Sequence, residues 1–372
     1  MNKPWSKHIS HLIILLIVYQ FISLWWPHRQ LLFDPFDFDY ASGVYTHSQY
    51  NLGHTEFFGN IDDDLLHQYS GYQYIQGVDP SVINPEVPPL GKYLYGLSIL
   101  VTSNAYWAQF IFSLSLLVAT WYLARQLIKP TWLAATVPLL LSCDKLFIDQ
   151  SLHTLLDLPQ ALAVICCLIG FQHFLSHHQI KYLIWTGLCL GFVASIKLWI
   201  TAAIIGLILV PFLPRPKLSH SLLLFIPALL VFFISYLVFF LHHPNPIDFI
   251  HLQITIARLY RSYLPNYPWA QIVRITLFGR WLTWWGLGTI KVTEWSLLWP
   301  LSFISVFVAL LTGYRRHYQQ IMVLSTIILG YIFSNLFHVV FPRYLLLILP
   351  LTYICLLYSL AEVISYVHRH RR

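Results

Sequence analysis

Acidic side chains are scarce in this chain, so their clustering is informative. Fifteen Asp and Glu residues are spread over 372 positions, and two clusters share one polar stretch, residues 27–92. The first cluster is Phe33-Asp34-Pro35-Phe36-Asp37-Phe38-Asp39-Tyr40. The second is Asp62-Asp63-Asp64, followed by Leu65-Leu66-His67-Gln68-Tyr69. Such a triplet suits a helix N-terminus, where carboxylates cap free N–H groups and oppose the helix dipole. An ionised carboxylate beside a membrane surface also suits removal of a proton from an attacking hydroxyl. The Asp62-Asp63-Asp64 triplet is therefore a candidate for a general base or a metal ligand. The residue types leave open a divalent metal ion at Asp62 and Asp63.

Cations with a use for phosphate lie elsewhere. Lys197 closes Gly191-Phe192-Val193-Ala194-Ser195-Ile196-Lys197, between two apolar segments. A charge there is expensive and marks a functional site, unless the side chain snorkels to the interface. Asp157, in His153-Thr154-Leu155-Leu156-Asp157-Leu158-Pro159, opens a span and reads either as a cap or as a site residue. Arg343 follows Phe337-His338-Val339-Val340-Phe341-Pro342 at the start of the last span. Its planar fork suits phosphate oxygens, and His338 stands nearby in sequence. The stretch 242–292 adds His251, Arg258, Arg261, Arg274, Arg280 and Lys291. In Asn84-Pro85-Glu86-Val87-Pro88-Pro89-Leu90-Gly91-Lys92-Tyr93 the prolines impose an extended entry, which fixes Glu86 and Lys92 at a loop-to-helix junction. Arg343, Lys197, Asp157, Glu86, Lys92, Arg280 and His338 are the candidates for binding a lipid phosphate or a sugar.

The elements that position these residues are apolar helices. Hydrophobic residues make up 57% of the chain and charged residues 10%, well below the roughly 25% of soluble domains. The 14 Trp, 23 Tyr and 25 Phe suit two interfacial belts. Apolar runs at 10–26, 103–124, 131–143, 155–175, 182–195, 197–213, 219–241, 293–312, 319–338 and 343–366 predict about ten spans. The runs 131–143 and 182–195 are short for a full crossing and read as broken or tilted spans; the apolar segment 93–102 is shorter still and reads either as a span or as a helix lying in the interface. With ten spans, Lys3 and Lys7, Arg125 and Lys129, Lys181, Arg215 and Lys217, Arg315 and Arg316, and the terminal His368-Arg369-His370-Arg371-Arg372 all face the cytoplasm. Residues 27–92, 144–154, 242–292 and 339–342 then face outward together.

The net charge of +7 is accounted for by these basic loops, so nucleic acid is not an expected partner. Cys143, Cys166, Cys167, Cys189 and Cys355 lie in or beside apolar runs without metal-ligand spacing, and read as small buried hydrophobes rather than disulfides. Lys3, Lys7 and His8 precede an apolar run as in a signal peptide. The run ends in Leu24-Trp25-Trp26-Pro27 without a small-residue cleavage site, so an uncleaved first span is expected. Neither GxGxxG nor GxxxxGK[ST] occurs, and there is no internal repeat.

Several stretches resemble protein O-mannosyltransferases and aminoarabinose transferases of the GT-C class of glycosyltransferases. Val87-Pro88-Pro89-Leu90-Gly91-Lys92-Tyr93-Leu94 resembles that family's His-Pro-Pro-Leu-Gly-Lys, with Val87 in place of the His. Leu155-Leu156-Asp157 resembles its Leu-Leu-Asp, and Gly191 to Lys197 its Gly-x-x-x-Ser-x-Lys. Pro342-Arg343-Tyr344-Leu345, with Pro350 beyond, resembles its C-terminal Arg-Tyr-Leu. The matches keep the family's order and cover most of the chain. The family carries a carboxylate pair in its first outer loop shortly before the Pro-Pro-Leu stretch, and Asp62-Asp63 lies at a similar distance upstream of Pro88, so the resemblance implies Asp62 or Asp63 as the general base. Asp37 or Asp39 is the rival, because Phe36-Asp37 resembles the family's Phe-Asp-Glu opening, although no Asp-Glu pair occurs, and the long soluble C-terminal domain of some members has no counterpart in this sequence.

The resemblance implies an all-α polytopic membrane protein: a single GT-C-like domain over 1–372, a bundle of about ten (eight to twelve) transmembrane helices. Residues 27–92 form a large first outer loop carrying short helices, and 242–292 a second outer loop. It implies transfer of mannose or a similar hexose or pentose from a polyprenyl-phosphate donor to an acceptor hydroxyl, on a protein, lipid or glycan. Inversion is expected, with an Asp as base and membrane lipids as the surrounding solvent. The expected location is the plasma membrane of a prokaryote, with the active site on the outer face. A transporter or flippase for a lipid-linked sugar is the alternative, for which repeats and midplane polar residues are the expected signs. A non-catalytic assembly partner is a third reading.

Overall fold

In the computed structural model, residues 4–50, 59–213, 218–263, 269–283 and 288–370 are described. Lys3, Arg215, Lys217, Arg371 and Arg372 lie outside them, as do the side chains of Lys7, His368, Arg369 and His370. The chain begins with α1 (Pro4–Trp25), α2 (Gln30–Phe33), α3 (Phe38–Thr46), α4 (Asp63–Ile75) and α5 (Leu90–Thr102). The central bundle follows as α6 (Tyr106–Leu127), α7 (Thr131–Ser142), α8 (Lys145–Ser151), α9 (Asp157–His177), α10 (Ile180–Ile196), α11 (Trp199–Leu209) and α12 (Leu218–Ser235). Then come α13 (Leu237–His242), α14 (Pro246–Tyr263), α15 (Gln271–Phe278), the antiparallel pair β1 (Arg280–Leu282) and β2 (Thr289–Lys291), α16 (Leu298–Arg315), α17 (Gln319–Ser334) and α18 (Leu349–His370).

The protein is an all-α, multi-pass membrane protein. Among the described residues, seven helices are long and apolar enough to cross a bilayer: α1, α6, α9, α12, α16, α17 and α18. Joined across their 62° bend, α7 and α8 make an eighth. The two remaining predicted spans correspond to α10 and to residues 199–212, both shorter apolar helices. At about 1.5 Å per residue neither reaches the roughly 30 Å of a hydrocarbon core unaided. Apolar side chains face outward along the bundle, among them Leu12, Leu15 and Ile22 on α1 and Ile226, Leu229 and Phe233 on α12. Water would penalise such a surface, whereas lipid tails match it.

The polar stretch 27–92 carries α2, α3 and α4 and a small core of its own, built from Ala41, Tyr45, Ile61, Leu66, Tyr69, Tyr74 and Ile83. It is fastened to the bundle by glycine. A Cβ on Gly71 of α4 would overlap the Lys92 carbonyl oxygen, and one on Gly96 of α5 would overlap that of Gly71. The two helix backbones therefore touch, which only glycine permits. The bend between α7 and α8 is held by Asp144. Its Oδ1 caps α8 by accepting from the Leu146 N–H, and its Oδ2 accepts from Trp299 Nε1 at 2.9 Å and the Tyr353 hydroxyl at 2.6 Å. One carboxylate thus ties α8 to α16 and α18. Cys143, expected to be buried, is exposed in that bend; the other cysteines are buried or partly buried, and all five are free thiols.

Candidate active site

Four chain segments meet at one end of the bundle. The start of α9 supplies Asp157, the residue after α10 supplies Lys197, the first turn of α4 supplies Asp63, and a 3-10 turn over Pro342–Leu347 supplies Arg343. Lys197 Nζ donates to Asp157 Oδ1 at 2.5 Å. Asp157 Oδ2 lies 3.5 Å from Arg343 Nε. Arg343 donates through Nη2 to Asp63 Oδ2 at 2.5 Å. The result is a continuous line of alternating charge, Lys197–Asp157–Arg343–Asp63. Its middle is buried, with the Asp157 side chain 5% exposed, the Lys197 end is nearly so at 12%, and the Asp63 end is open at 38%. Aromatic rings flank the cations: Lys197 Nζ lies 3.9 Å from the Tyr344 ring centroid and the Arg343 guanidinium 4.9 Å from that of Phe341.

The line explains part of the Pro-Pro-Leu-Gly-Lys stretch. A Cβ on Gly91 would come within 2.6 Å of Leu156 Cδ2 and 3.1 Å of Ile196 Cγ2. Gly91 therefore lets α5 press against the residues directly before Asp157 and Lys197. Lys92 has a different task. It is fully buried, donating to Asn84 O at 2.5 Å, to the Tyr74 hydroxyl at 3.3 Å and to Val87 O at 3.4 Å. It gathers the loop before its own helix. Glu86 is half-buried, and burial pushes its carboxyl above the usual range against the pull of Lys92.

Four neighbours of the line were not nominated individually from sequence. Asp64, His67 and Gln68 share α4 with Asp63, and Thr154 stitches that helix to the segment before α9. The Thr154 hydroxyl donates to Asp64 at 3.3 Å and receives Gln68 Nε2 at 3.0 Å, while His67 Nδ1 lies 3.2 Å from Thr154 O. Their environments differ sharply. Burial pushes Asp64 up to about 6. Burial is the largest influence on Asp63 and pushes it up, but the charge and hydrogen bond of Arg343, together with His67 and Lys197, outweigh it and hold the carboxyl below its usual range. Burial pushes His67 down to about 4, so its imidazole is neutral at pH 7. The i, i+4 spacing of Asp63 to His67 and of Asp64 to Gln68 was the available signal.

The other candidates lie apart from the line. Asp62 is exposed at the N-cap of α4 and makes no capping hydrogen bond. Asp37 caps α3 by accepting from the Tyr40 N–H at 2.9 Å, and Asp39 is exposed in that helix's first turn. His338 is exposed. Arg280 opens β1 and lines a separate cavity. Among the described residues no group of three or more His, Cys, Asp or Glu is placed to hold a metal ion. With Asp63 engaged by Arg343, the donor set at Asp62 and Asp63 does not fit a divalent cation.

Solved structures share this architecture. ArnT from Cupriavidus metallidurans, bound to undecaprenyl phosphate, matches with a TM-score of 0.65 at 14% identity, over 94% of this chain and 59% of its own. The archaeal oligosaccharyltransferase AglB from Archaeoglobus fulgidus, in complex with an inhibitory peptide and a dolichol-phosphate, matches with a TM-score of 0.55 at 13% identity, over 100% of this chain and 51% of its own. The chain has the GT-C fold. It spans little more than half the length of these two structures. No family model matches the sequence, and no curated protein matches it either. Within the GT-C fold of this chain, the helix ends that carry Asp157, Lys197 and Arg343 meet α4 of the first loop, which brings residues far apart in sequence into one line of charge.

Proposed function

We propose that this protein is a membrane glycosyltransferase that moves a sugar from a polyprenyl-phosphate donor to an acceptor hydroxyl on the face opposite the basic loops. One observation carries the reading. Arg343 Nε is buried without a hydrogen-bond partner, 3.5 Å from Asp157 Oδ2, in a cluster that also holds Lys197. A buried guanidinium N–H left unsatisfied is costly, and a phosphate oxygen is the acceptor it suits. ArnT, similar in fold, is bound to undecaprenyl phosphate.

In the mechanism, Arg343 and Lys197 hold the donor phosphate and stabilise the charge it gains as the glycosidic bond breaks. Phosphate is a good leaving group at neutral pH and needs cations more than an acid. Asp63 accepts the proton of the acceptor hydroxyl. Its lowered pKa makes it a weak base, so the proton moves late, after the new bond has acidified the hydroxyl. Attack from the face opposite the phosphate inverts the anomeric centre. Asp157 orients both cations and keeps them charged in apolar surroundings. Polar residues gathered at one end, rather than at the midplane, favour transfer over transport.

The test is transfer from a synthetic polyprenyl-phosphate sugar by the purified protein in nanodiscs. Arg343→Ala and Asp63→Asn should each lower transfer by about two orders of magnitude or more while melting normally. Undiminished transfer by both variants would overturn the assignment.

A further inference from the structure

Apart from the line of charge, a cavity of about 580 Å³ opens between α15 and the β1–β2 pair. Its wall carries Arg274 and Phe278 from α15, Arg280 from β1, Thr289 from β2, and Trp295, with Gln271 at the base. Strand alternation explains the division of labour. Arg280 and Leu282 face the cavity, whereas Trp281 turns the other way, donates to Val340 O at 3.0 Å and packs on Phe341 at 5.4 Å. Phe341 is the ring beneath Arg343. Two aromatic side chains thus separate the cavity from the proposed transfer site.

The lining is polarised in a way that folding does not require. Arg280 is paired across the strands with Lys291, and like charges directly opposite one another destabilise a sheet. Arg274 adds a third exposed cation. Gln271 is fully buried, yet its Oε1 has no hydrogen-bond partner, an omission that costs stability unless a ligand supplies a donor. The Trp295 ring is fixed in place: its Nε1 donates to Thr276 O at 3.1 Å, and Gly279, at φ +61°, leaves no Cβ to displace it. A rigid aromatic face, cations and a free amide oxygen complement a compact ligand with an apolar ring face, hydroxyl donors and a negative charge.

We propose that this cavity binds a saccharide carrying a phosphate or carboxylate, as the acceptor subsite of the transfer reaction. Only the word acceptor rests on the transferase reading; the saccharide site stands on the cavity alone. The hydroxyls of the sugar satisfy Gln271 Oε1, its ring lies on Trp295, and its anionic group takes Arg274 and Arg280.

Binding is measured by saturation-transfer difference NMR on the full chain in detergent, with glucose 1-phosphate, glucuronate, glucose and inorganic phosphate as probes. The acidic sugars should show ring-proton saturation, and glucose should bind about tenfold more weakly. Arg274→Gln with Arg280→Gln should weaken the acidic sugars about tenfold or more, and Thr289→Glu, which adds a negative charge to the wall, should do the same. Undecaprenyl phosphate, followed by native mass spectrometry, should bind the double variant normally and fail to bind Arg343→Ala. Failure of that arm alone overturns the donor reading and with it the word acceptor. Unchanged acidic-sugar binding in both cavity variants overturns the saccharide site. So does inorganic phosphate binding without ring-proton saturation by any sugar. Loss of phosphatidylglycerol, in place of sugars, from the double variant overturns it in favour of a lipid headgroup.

Discussion

Arg343 is the residue on which the site turns, since it alone touches both acids of the line. Arg343→Lys keeps the charge but cannot reach Asp63 and Asp157 together, so it should restore only a small part of the activity lost in Arg343→Ala. Asp62→Asn separates neighbours that sequence could not. It should leave transfer within a few-fold of wild type, whereas Asp63→Asn should lower it by about two orders of magnitude. Asp64 makes a pH prediction. Its folded pKa, about 6, is raised by burial above the ordinary 3.8. The folded state therefore holds an extra proton between those values, and stability falls as pH rises through them. Asp64→Asn removes that penalty, on the order of 2–3 kcal/mol at most. It should raise the melting temperature at pH 7.5, and the gain should vanish near pH 4. At this scale Arg343, Lys197 and Asp157 were legible because charge is rare in apolar sequence. The choice of Asp63 over Asp62 was not, because it depends on which carboxylate of a helix start faces Arg343. Lys92 looked like a site residue for the same reason that Lys197 did, and only the fold distinguishes an ammonium caged by loop carbonyls from one paired with Asp157.

The elements matter through their contacts. Asp63 reaches Arg343 because α4 lies on α5, a contact that rests on Gly71 and Gly96, and because Thr154 stitches α4 to the segment before α9. Gly71→Ala should lower stability by about 1–3 kcal/mol through overpacking, measured by thermal melting in detergent. Gly91→Ala should act differently. Its Cβ would push on Leu156 and Ile196, beside Asp157 and Lys197, so transfer should fall further than the melting temperature. Long apolar helices such as α9 and α18 were readable from composition. The short run 131–143 pointed to a broken or tilted span, and the 62° bend bears out the break; its cause at Asp144 was hidden, since it is a carboxylate binding Trp299 and Tyr353 from distant helices. The α4–α5 contact was hidden because a glycine in a polar segment shows no partner.

Across the whole molecule, one set of basic residues lies at the end of the bundle away from the line of charge. Arg125 at the end of α6, Lys181 at the start of α10 and Arg315 at the end of α16 lie at helix ends away from Asp157, Lys197 and Arg343. In a cysteine-free background, Arg315→Cys should react with an impermeant maleimide only after cells are opened, and His338→Cys should react in intact cells. The bundle was legible because lipid selects for composition. The alternation of Lys197, Asp157, Arg343 and Asp63 was not, because it joins four segments from across the chain.

The most direct test of the central claim is the release of polyprenyl phosphate from a purified polyprenyl-phosphate sugar, measured with acceptor-containing membrane extract, for the wild type and for Arg343→Ala, Lys197→Ala, Asp157→Asn and Asp63→Asn. Release by the wild type, with each variant reduced by about tenfold or more and all four melting normally, is the predicted result. Release that persists in all four variants, or none from the wild type with intact donor bound, would contradict the account.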